Sequence, residues 1–314
     1  MSELAPIILF VYNRSEHTQK TLNYLSKNQL AEKSKLYIYC DGPKENCSSE
    51  ELEEIKKVRE IIKTRQWCGE VNIIEHDINK GLANSIITGV GEIINKHGKI
   101  IVLEDDILTS TNFLKFMNNA LNMYEKEEKA LSIGACNFFA NDESVPDCFF
   151  VPIPDCWGWA TWKDRWALFE PDGKKLLKQL KEKNLMDKFN LFGAYDFESM
   201  LIDQTQEKNN SWAIRWQAVA YIHDKLSLYP RIPTSHNFGF DQSGTHTYTF
   251  NKVYSTLHFF YNPPSEVIKV EVEEDDETTK KMIEANGIVF NSYQGGGRRN
   301  LFIRLIRKVL SPFR

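Results

Sequence analysis

Short apolar runs alternate regularly with amphipathic, charged segments between residues 7 and 124. The runs have strand length, the segments between them have helical periodicity, and Ser48–Glu51 has the pattern of a capping box. Strand–helix alternation at this spacing predicts a mainly parallel sheet with helices on both faces. The predicted strands are Ile7–Val11, Leu36–Cys40, Val71–Glu75 and Ile100–Leu103, and the predicted helices are Glu16–Asn28, Ser49–Thr64, Leu82–His97 and Thr111–Tyr124.

Polar side chains follow each of the four predicted strands. In chain order they are Asn13-Arg14, Asp41-Gly42, Asp77–Gly81 and Glu104–Asp106. The carboxyl ends of parallel strands meet at one edge of a sheet, and ligands of such sheets bind beyond that edge. We therefore expect these four segments to form one site.

Glu104-Asp105-Asp106 places three carboxylates directly after an apolar strand. Adjacent carboxylates repel one another unless a cation neutralises them. Hard divalent cations prefer carboxylate oxygens, and Mg²⁺ is typically held by one or two carboxylates together with substrate phosphates. The triplet predicts a site for Mn²⁺ or Mg²⁺; the alternative is a solvated acidic turn before the helix near Thr111.

The segment Asn79–Asn84 opens the third predicted helix. Gly81 allows close approach of the backbone, and a helix N-terminus beside Lys80 favours an anion such as a diphosphate. Asn79, Lys80, Gly81 and Asn84 are therefore candidate ligands of a phosphorylated cofactor. A simple turn before a helix is the alternative.

After residue 130 the alternation gives way to short apolar runs rich in aromatic residues. We expect a mixed α+β half at 131–262 that completes the sheet of the 1–130 half and binds an acceptor. Cys156–Trp162 and Ser211–Trp216 offer aromatic faces of the kind that bind pyranose rings, unless their tryptophans only pack in the core. The polar, glycine-containing segment 237–246 ends at His246, which is either a metal or phosphate ligand or a structural histidine.

The last segment, 263–314, reads as an acidic linker (Glu271–Glu277) followed by a basic amphipathic helix within Arg298–Arg314. Such a helix is expected to lie on an anionic membrane surface, with packing on its own domain or a partner as the alternative. The net charge of −4 argues against nucleic acid as a partner. Six cysteines without metal-site spacing, and no signal peptide or span, predict a cytoplasmic protein, peripheral on the inner face of the cell membrane if the tail binds there.

Taken together and in order, the polar segments after the four strands resemble those of GT-A-fold glycosyltransferases. The chain looks most similar to bacterial sugar transferases distantly related to N-acetylglucosaminyltransferase I. Trp157–Trp159, Ser211–Trp216 and Asn237–Thr247 extend this resemblance through roughly residues 5–250. It implies a GT-A fold and a metal-dependent transfer of a sugar from a nucleotide donor.

The resemblance also implies a role for each matching position. Arg14 and Asp41 would contact the nucleotide, with Asp41 near the base. Asp105 would meet the ribose, Asp106 would be the main metal ligand, and Glu104 would face the donor sugar.

The catalytic base does not follow from the resemblance. Relatives often carry an acidic residue in the segment matching Ser211–Trp216, where this chain has Ala213. We predict that Asp203 replaces it, on a helix that also carries Asp196 and that borders an apolar patch, where partial desolvation raises the pKa of a carboxyl group. Asp196 and Glu198 are competitors, and Asp203 could instead pair with a base such as Arg215 and only hold the loop in place.

The sequence thus predicts an inverting hexosyl- or N-acetylhexosaminyltransferase that uses a UDP-sugar. The expected acceptor is a glycan of a surface polysaccharide or a lipid-linked oligosaccharide. One alternative is a sugar-1-phosphate nucleotidyltransferase, which should have a glycine-rich loop after the first strand, whereas Val11–Glu16 contains no glycine. The other is a non-catalytic glycan-binding protein on a GT-A fold, which Ala213 keeps open.

Overall fold

The computed structural model describes residues 3–137, 139, 142–239, 264 and 266–291. Every strand and helix predicted between residues 7 and 124 is present, with ends that differ by no more than three residues. The strands are β1 (Ile7–Val11), β2 (Lys35–Cys40), β3 (Glu70–Glu75) and β4 (Lys99–Glu104), and the helices are α1 (Ser15–Leu25), α2 (Ser49–Ile61), α3 (Leu82–His97) and α4 (Phe113–Met123).

The first half also contains a short strand, β5 (Ile107–Thr109), between β4 and α4. The rest of the chain is mixed, as predicted, with strands β6 (Ala130–Gly134), β7 (Cys148–Val151), β8 (Trp159–Trp162), β9 (Leu226–Pro230) and β10 (Ser235–Asn237). Its helices are α5 (Lys163–Trp166), α6 (Gly173–Glu182), α7 (Met186–Phe189), α8 (Phe197–Thr205), α9 (Trp212–Ile222) and α10 (Asp276–Asn291).

Eight strands form one sheet in the order β3-β2-β1-β4-β8-β6-β9-β7. β3, β2, β1 and β4 are parallel neighbours, and β6 is parallel to β9. β8 runs antiparallel to β4 and β6, and β7 runs antiparallel to β9. Six of the eight strands therefore point the same way, which confirms the predicted α/β class with a mainly parallel sheet. β5 and β10 form a separate antiparallel pair.

Both faces of the sheet are covered at its centre, which explains why β1 is apolar throughout. All five residues of β1 are buried. Ile8 and Phe10 face the core shared with α3 and the helices of the second half, whereas Ile7 and Leu9 face the core under α1 and α4. Each fully buried aliphatic side chain contributes about 1.5–3 kcal/mol relative to an exposed one, so continuous apolar runs are favoured at the centre of such a sheet.

Local signals fix the ends of two helices. At the start of α2, Ser48 Oγ accepts a hydrogen bond from the Glu51 amide (3.2 Å), and the Glu51 carboxylate accepts one from the Ser48 amide (3.2 Å), so the predicted capping box is present. Gly81 and Gly98 flank α3 with φ of 76° and 79°, a conformation that favours glycine. The start of α3 is therefore held at a defined point beyond the sheet edge.

The acidic segment that we expected to be a linker lies against the domain. The Tyr124 hydroxyl donates to the Val270 carbonyl (3.1 Å) and accepts from the Val270 amide (2.9 Å). The Asp275 amide donates to the Phe150 carbonyl (2.9 Å), which attaches the start of α10 to β7. The basic tail Arg298–Arg314 and His246 lie outside the described residues. In the described part of the chain, no helix has both the length and the apolar character needed to cross a membrane.

Candidate active site

Arg14 joins the loops after β1 and β4. It occupies the N-cap position of α1, and its Nη2 atom bonds both Asp105 Oδ1 and Asp106 Oδ2, the latter at 3.0 Å. The Thr21 hydroxyl of α1 donates to the Asp105 carbonyl (2.7 Å) and fixes the turn from the other side. The structure therefore brings Arg14, Asp105 and Asp106 together, although Arg14 is far from the two aspartates in sequence.

Two carboxyl groups of this turn, those of Glu104 and Asp105, are held in an environment that disfavours their charge. Burial and the negative charges of Asp106 and Asp105 hold the pKa of Glu104 well above its usual range. Burial also raises the pKa of Asp105 to about 6, against the opposing effect of Arg14. Burial alone would lower the pKa of Arg14, but the charges of Asp105 and Asp106 raise it, so the guanidinium stays protonated. One cation thus faces three acidic side chains.

Asp106 lies under the segment that follows β10. The Phe238 amide donates to the Asp106 carbonyl (3.0 Å). A Cβ atom at Gly239 would come within 2.3 Å of Asp106 Oδ2, so only glycine fits this close approach. The Phe238 ring stacks on the His17 ring of α1, with centroids 4.7 Å apart. The β5–β10 pair and α1 therefore enclose Asp106 from two sides.

Asp41 is buried and anchors the loop before α3. Its Oδ1 atom accepts hydrogen bonds from the amides of Gly42 (2.9 Å) and Lys80 (2.8 Å), and Oδ2 accepts one from the Gly81 amide (2.9 Å). These bonds use both carboxylate oxygens. In this structure, Asp41 fixes the position of the loop that opens α3.

The other candidate residues of this loop also bond to the backbone. The Asn79 side chain donates to the Gly42 carbonyl (2.9 Å), and the Asn84 side chain donates to the Lys80 carbonyl (3.0 Å). Lys80 is exposed. The first amide groups of an α-helix have no partner within the helix, so the start of α3 can accept an anion next to this lysine.

The chemistry of the turn suits a hard divalent cation that is shared with a ligand. Three acidic side chains and one guanidinium leave a net charge of −2 when all are ionised, and their oxygens are the donors that Mg²⁺ and Mn²⁺ accept. Among the residues that the structure describes, no group of three or more His, Cys, Asp or Glu side chains is arranged to hold a metal ion. The residues therefore fit a metal held by one or two of these carboxylates and completed by phosphate oxygens.

Sequence reasoning missed Asp155, a buried aspartate between β7 and β8. Asp155 Oδ2 accepts hydrogen bonds from the amides of Ala135 and Cys136 (both 2.8 Å), and Oδ1 accepts one from the Trp157 amide (2.9 Å). Asp155 thereby joins the loop after β6 to the turn before β8. No local pattern marks it, because its partners are backbone amides that only the folded chain brings near.

The tryptophans proposed for sugar binding are mostly core residues. Trp159 stacks on Trp212 (centroids 5.3 Å apart), and Trp216 packs between Trp159 and Trp166. Trp159, Trp212 and Trp216 are each less than 5% exposed, so the alternative of core packing is correct for them. Trp157 is partly exposed.

Asp203 lies near the C-terminal end of α8 with its side chain 47% exposed. Its carboxylate pairs with a base, as in the alternative to a catalytic role, but this base is Lys208 (3.4 Å). Arg215 instead bonds the Ser211 and Pro171 carbonyls and the Asn210 side chain. Asp196 is the N-cap of α8 and lies just outside the helix, where its side chain accepts a hydrogen bond from the Ser199 amide (3.0 Å).

The topology brings the end of α8 toward the carboxyl edge of the sheet. Gln204, the neighbour of Asp203, packs against Gly173 at the start of α6. Trp212, the first residue of α9, stacks on Trp159, which pairs in the sheet with Val102, two residues before Glu104. The segment joining α8 to α9 therefore lies on the side of the domain that carries the acidic turn.

No protein family model matches the chain, and no curated protein matches it. Solved structures do match its fold. The mannosyltransferase PcManGT from Pyrobaculum calidifontis, in complex with GDP-Man and Mn²⁺, is 12% identical with a TM-score of 0.36, over 56% of this chain and 46% of its own. TarS 1-349 of S. aureus is 12% identical with a TM-score of 0.39, over 74% of this chain and 59% of its own. A UDP-glucose pyrophosphorylase complexed with UDP-glucose is 13% identical with a TM-score of 0.35, over 72% of this chain and 90% of its own.

These similarities are distant. The chain spans less than two thirds of the length of the first two structures. At such identities and TM-scores these similarities assign no family, donor, acceptor or catalytic residue to this chain.

Proposed function

We propose that the chain is a glycosyltransferase that transfers a sugar from a UDP-sugar to a glycan acceptor with the help of Mn²⁺ or Mg²⁺. The observation that carries this proposal is the cluster of Arg14, Glu104, Asp105 and Asp106 at the carboxyl ends of β1 and β4. This cluster combines three carboxyl groups with an arginine, Arg14, whose guanidinium can bind a phosphate through two N–H groups. The first turn of α3, after Gly81, supplies further N–H donors for a diphosphate.

Each residue has a specific task in this proposal. Asp106 holds the metal, which when bound acts as a Lewis acid on the departing diphosphate. The start of α3 and Lys80 bind the diphosphate, and Asp105 orients the ribose. Glu104, whose raised pKa favours the protonated form, donates a hydrogen bond to a donor-sugar hydroxyl. Asp41 holds the loop at Lys80 and Gly81 in place and so positions these groups.

We propose Asp203 as the base that removes the proton of the acceptor hydroxyl in an inverting transfer. Its support is its place near the end of α8, on the same side of the domain as the acidic turn. His246 remains a proposed second ligand of the metal or the phosphate. The acceptor proposed from the sequence is a glycan of a surface polysaccharide or a lipid-linked oligosaccharide, reached from the inner face of the membrane by a peripheral protein whose basic tail lies on the membrane surface.

A donor screen tests the proposal. The full chain is incubated with UDP-glucose, UDP-galactose, UDP-N-acetylglucosamine and GDP-mannose, with and without Mn²⁺, and release of the free nucleotide is measured. We expect metal-dependent release from at least one UDP-sugar, and its loss in Asp106→Asn. Asp224→Asn, which changes a 93% exposed carboxylate just before β9, at the opposite edge of the sheet, is the matched control and should retain the activity.

Two results would contradict the proposal. Formation of UTP from a UDP-sugar and pyrophosphate would identify a nucleotidyltransferase. Binding of glycans without release of nucleotide from any donor would identify a non-catalytic glycan-binding protein.

A further inference from the structure

Arg14 bonds the carboxylate that is proposed to hold the metal. A single nitrogen, Nη2, contacts Asp105 Oδ1 and Asp106 Oδ2. Both aspartates are largely buried, with side-chain exposures of 6% and 14%, so water screens this contact poorly. A divalent cation on Asp106 Oδ2 would have to compete with the guanidinium for that oxygen and would lie close to its positive charge.

The same guanidinium has the opposite effect on a diphosphate. The Asp105 and Asp106 carboxylates repel any anion that approaches the turn, and Arg14 is the cation in direct contact with both. Its planar head carries five N–H donors and suits phosphate oxygens. Arg14 therefore opposes a free metal ion and favours a diphosphate at the same place.

We propose that Arg14 makes metal binding depend on the nucleotide, so that the cation and the diphosphate bind as a pair. The diphosphate gives Arg14 a second anionic partner and draws it from Asp106, whose Oδ2 then accepts the metal. Asp105 stays paired with Arg14 throughout, which keeps this buried carboxylate neutralised. The inference rests on the proposed function and assigns Arg14 as a positioning residue of that site.

Binding measurements on the full chain test the inference without any turnover. The affinity for Mn²⁺ is measured by electron paramagnetic resonance with and without UDP, and the affinity for UDP is measured by calorimetry with and without Mn²⁺. In the wild type, we expect UDP to tighten Mn²⁺ binding by at least about tenfold, and by linkage Mn²⁺ must tighten UDP binding by the same factor. In Arg14→Gln, we expect Mn²⁺ alone to bind about tenfold or more tightly than in the wild type, and UDP alone to bind about tenfold or more weakly.

Opposite changes in the two affinities are the signature of this role, because a variant that merely disturbed the fold would weaken both. Arg14→Lys keeps the positive charge and serves as a second variant in case Arg14→Gln does not fold. Its Mn²⁺ affinity should stay within about threefold of the wild type. Arg231→Gln removes a guanidinium that pairs with Asp147 on the surface and should change neither affinity. Unchanged or weaker Mn²⁺ binding in Arg14→Gln, or an Arg14→Lys variant that behaves like Arg14→Gln, would overturn the inference.

Asp106→Asn separates this inference from the proposed function. If that variant still binds Mn²⁺ together with UDP, the proposed metal site is wrong, and the role of Arg14 is wrong with it. If it loses Mn²⁺ binding while Arg14→Gln matches the wild type, the metal site stands and only the role of Arg14 is wrong.

Discussion

Replacing Asp41 by asparagine probes the loop that opens α3. The Asp41 carboxylate accepts hydrogen bonds from three backbone amides, those of Gly42, Lys80 and Gly81, at 2.8–2.9 Å. Asparagine has the same shape but only one oxygen, because the second position becomes an NH₂ donor. In either orientation of the amide, at least one backbone N–H of the loop must face another donor.

The cost follows from these bonds. A hydrogen bond to a charged group contributes about 1.5–3 kcal/mol, and a neutral one about 0.5–1.5 kcal/mol. In the better orientation, Asp41→Asn loses one bond and weakens two, since they no longer involve a charge. The lost bond costs about 2 kcal/mol and each weakened bond about 1 kcal/mol, so we expect the free energy of unfolding to fall by about 4 kcal/mol.

Guanidinium unfolding followed by tryptophan fluorescence measures this change. Asp77→Asn is the control, because Asp77 is an exposed carboxylate close to the same loop and should change the unfolding free energy by less than about 0.5 kcal/mol. The affinities for UDP, CDP and GDP complete the experiment. If Asp41 only positions the loop, all three fall by the same factor, whereas a contact with the base would change their ratio. A stability within about 0.5 kcal/mol of the wild type would refute the reasoning.

Three further substitutions test other parts of the structure. Asp203→Asn should lower turnover by about 10²-fold or more with donor binding retained, as shown by steady-state kinetics beside UDP calorimetry; unchanged turnover would transfer the role to another residue. Trp216→Ala should lower the unfolding free energy by about 3–5 kcal/mol, because Trp216 is 1% exposed and packs on three aromatic rings; a loss below about 1 kcal/mol would contradict its place in the core. Burial lowers the pKa of His236, so below about pH 6.5 the unfolded chain takes up a proton that the folded chain does not bind, and stability should fall as the pH falls. Thermal unfolding of His236→Gln should show a smaller loss of stability between about pH 7.5 and 5.5 than the wild type shows. An equal loss would exclude this histidine as a cause.

The first half of the fold could be predicted because its signals are local. A strand that is buried on both faces must be apolar along its whole length, and β1 satisfies this within five residues. The ends of α3 were predicted correctly because Gly81 and Gly98 supply the left-handed conformations that bound it. Such elements can be predicted because each depends on a few neighbouring residues and on a single physical requirement.

The partners within the site could not be predicted in the same way. Arg14 and Asp106 stand more than 90 positions apart, and only the parallel pairing of β1 with β4 brings their loops together. Asp155 bonds backbone amides, and because these groups do not depend on the residue type, no sequence pattern marks them as its partners. The tryptophans of 156–162 and 211–216 have the same composition whether they line a sugar site or fill a core, and burial alone decides between the two.

The partners of its carboxylates determine what this sheet edge can do. Asp41 and Asp155 are satisfied by backbone amides, and such partners leave only if the loops themselves move. Asp105 and Asp106 are satisfied by one guanidinium, which needs only side-chain rotation to change partner. Two buried carboxylates therefore shape the edge, whereas the partner of Asp105 and Asp106 is a side chain that could release Asp106 while it stays on Asp105. Asp105 and Asp106 follow β4 directly, at the centre of the sheet between β1 and β8, where a ligand lying across the carboxyl ends of the strands would meet them.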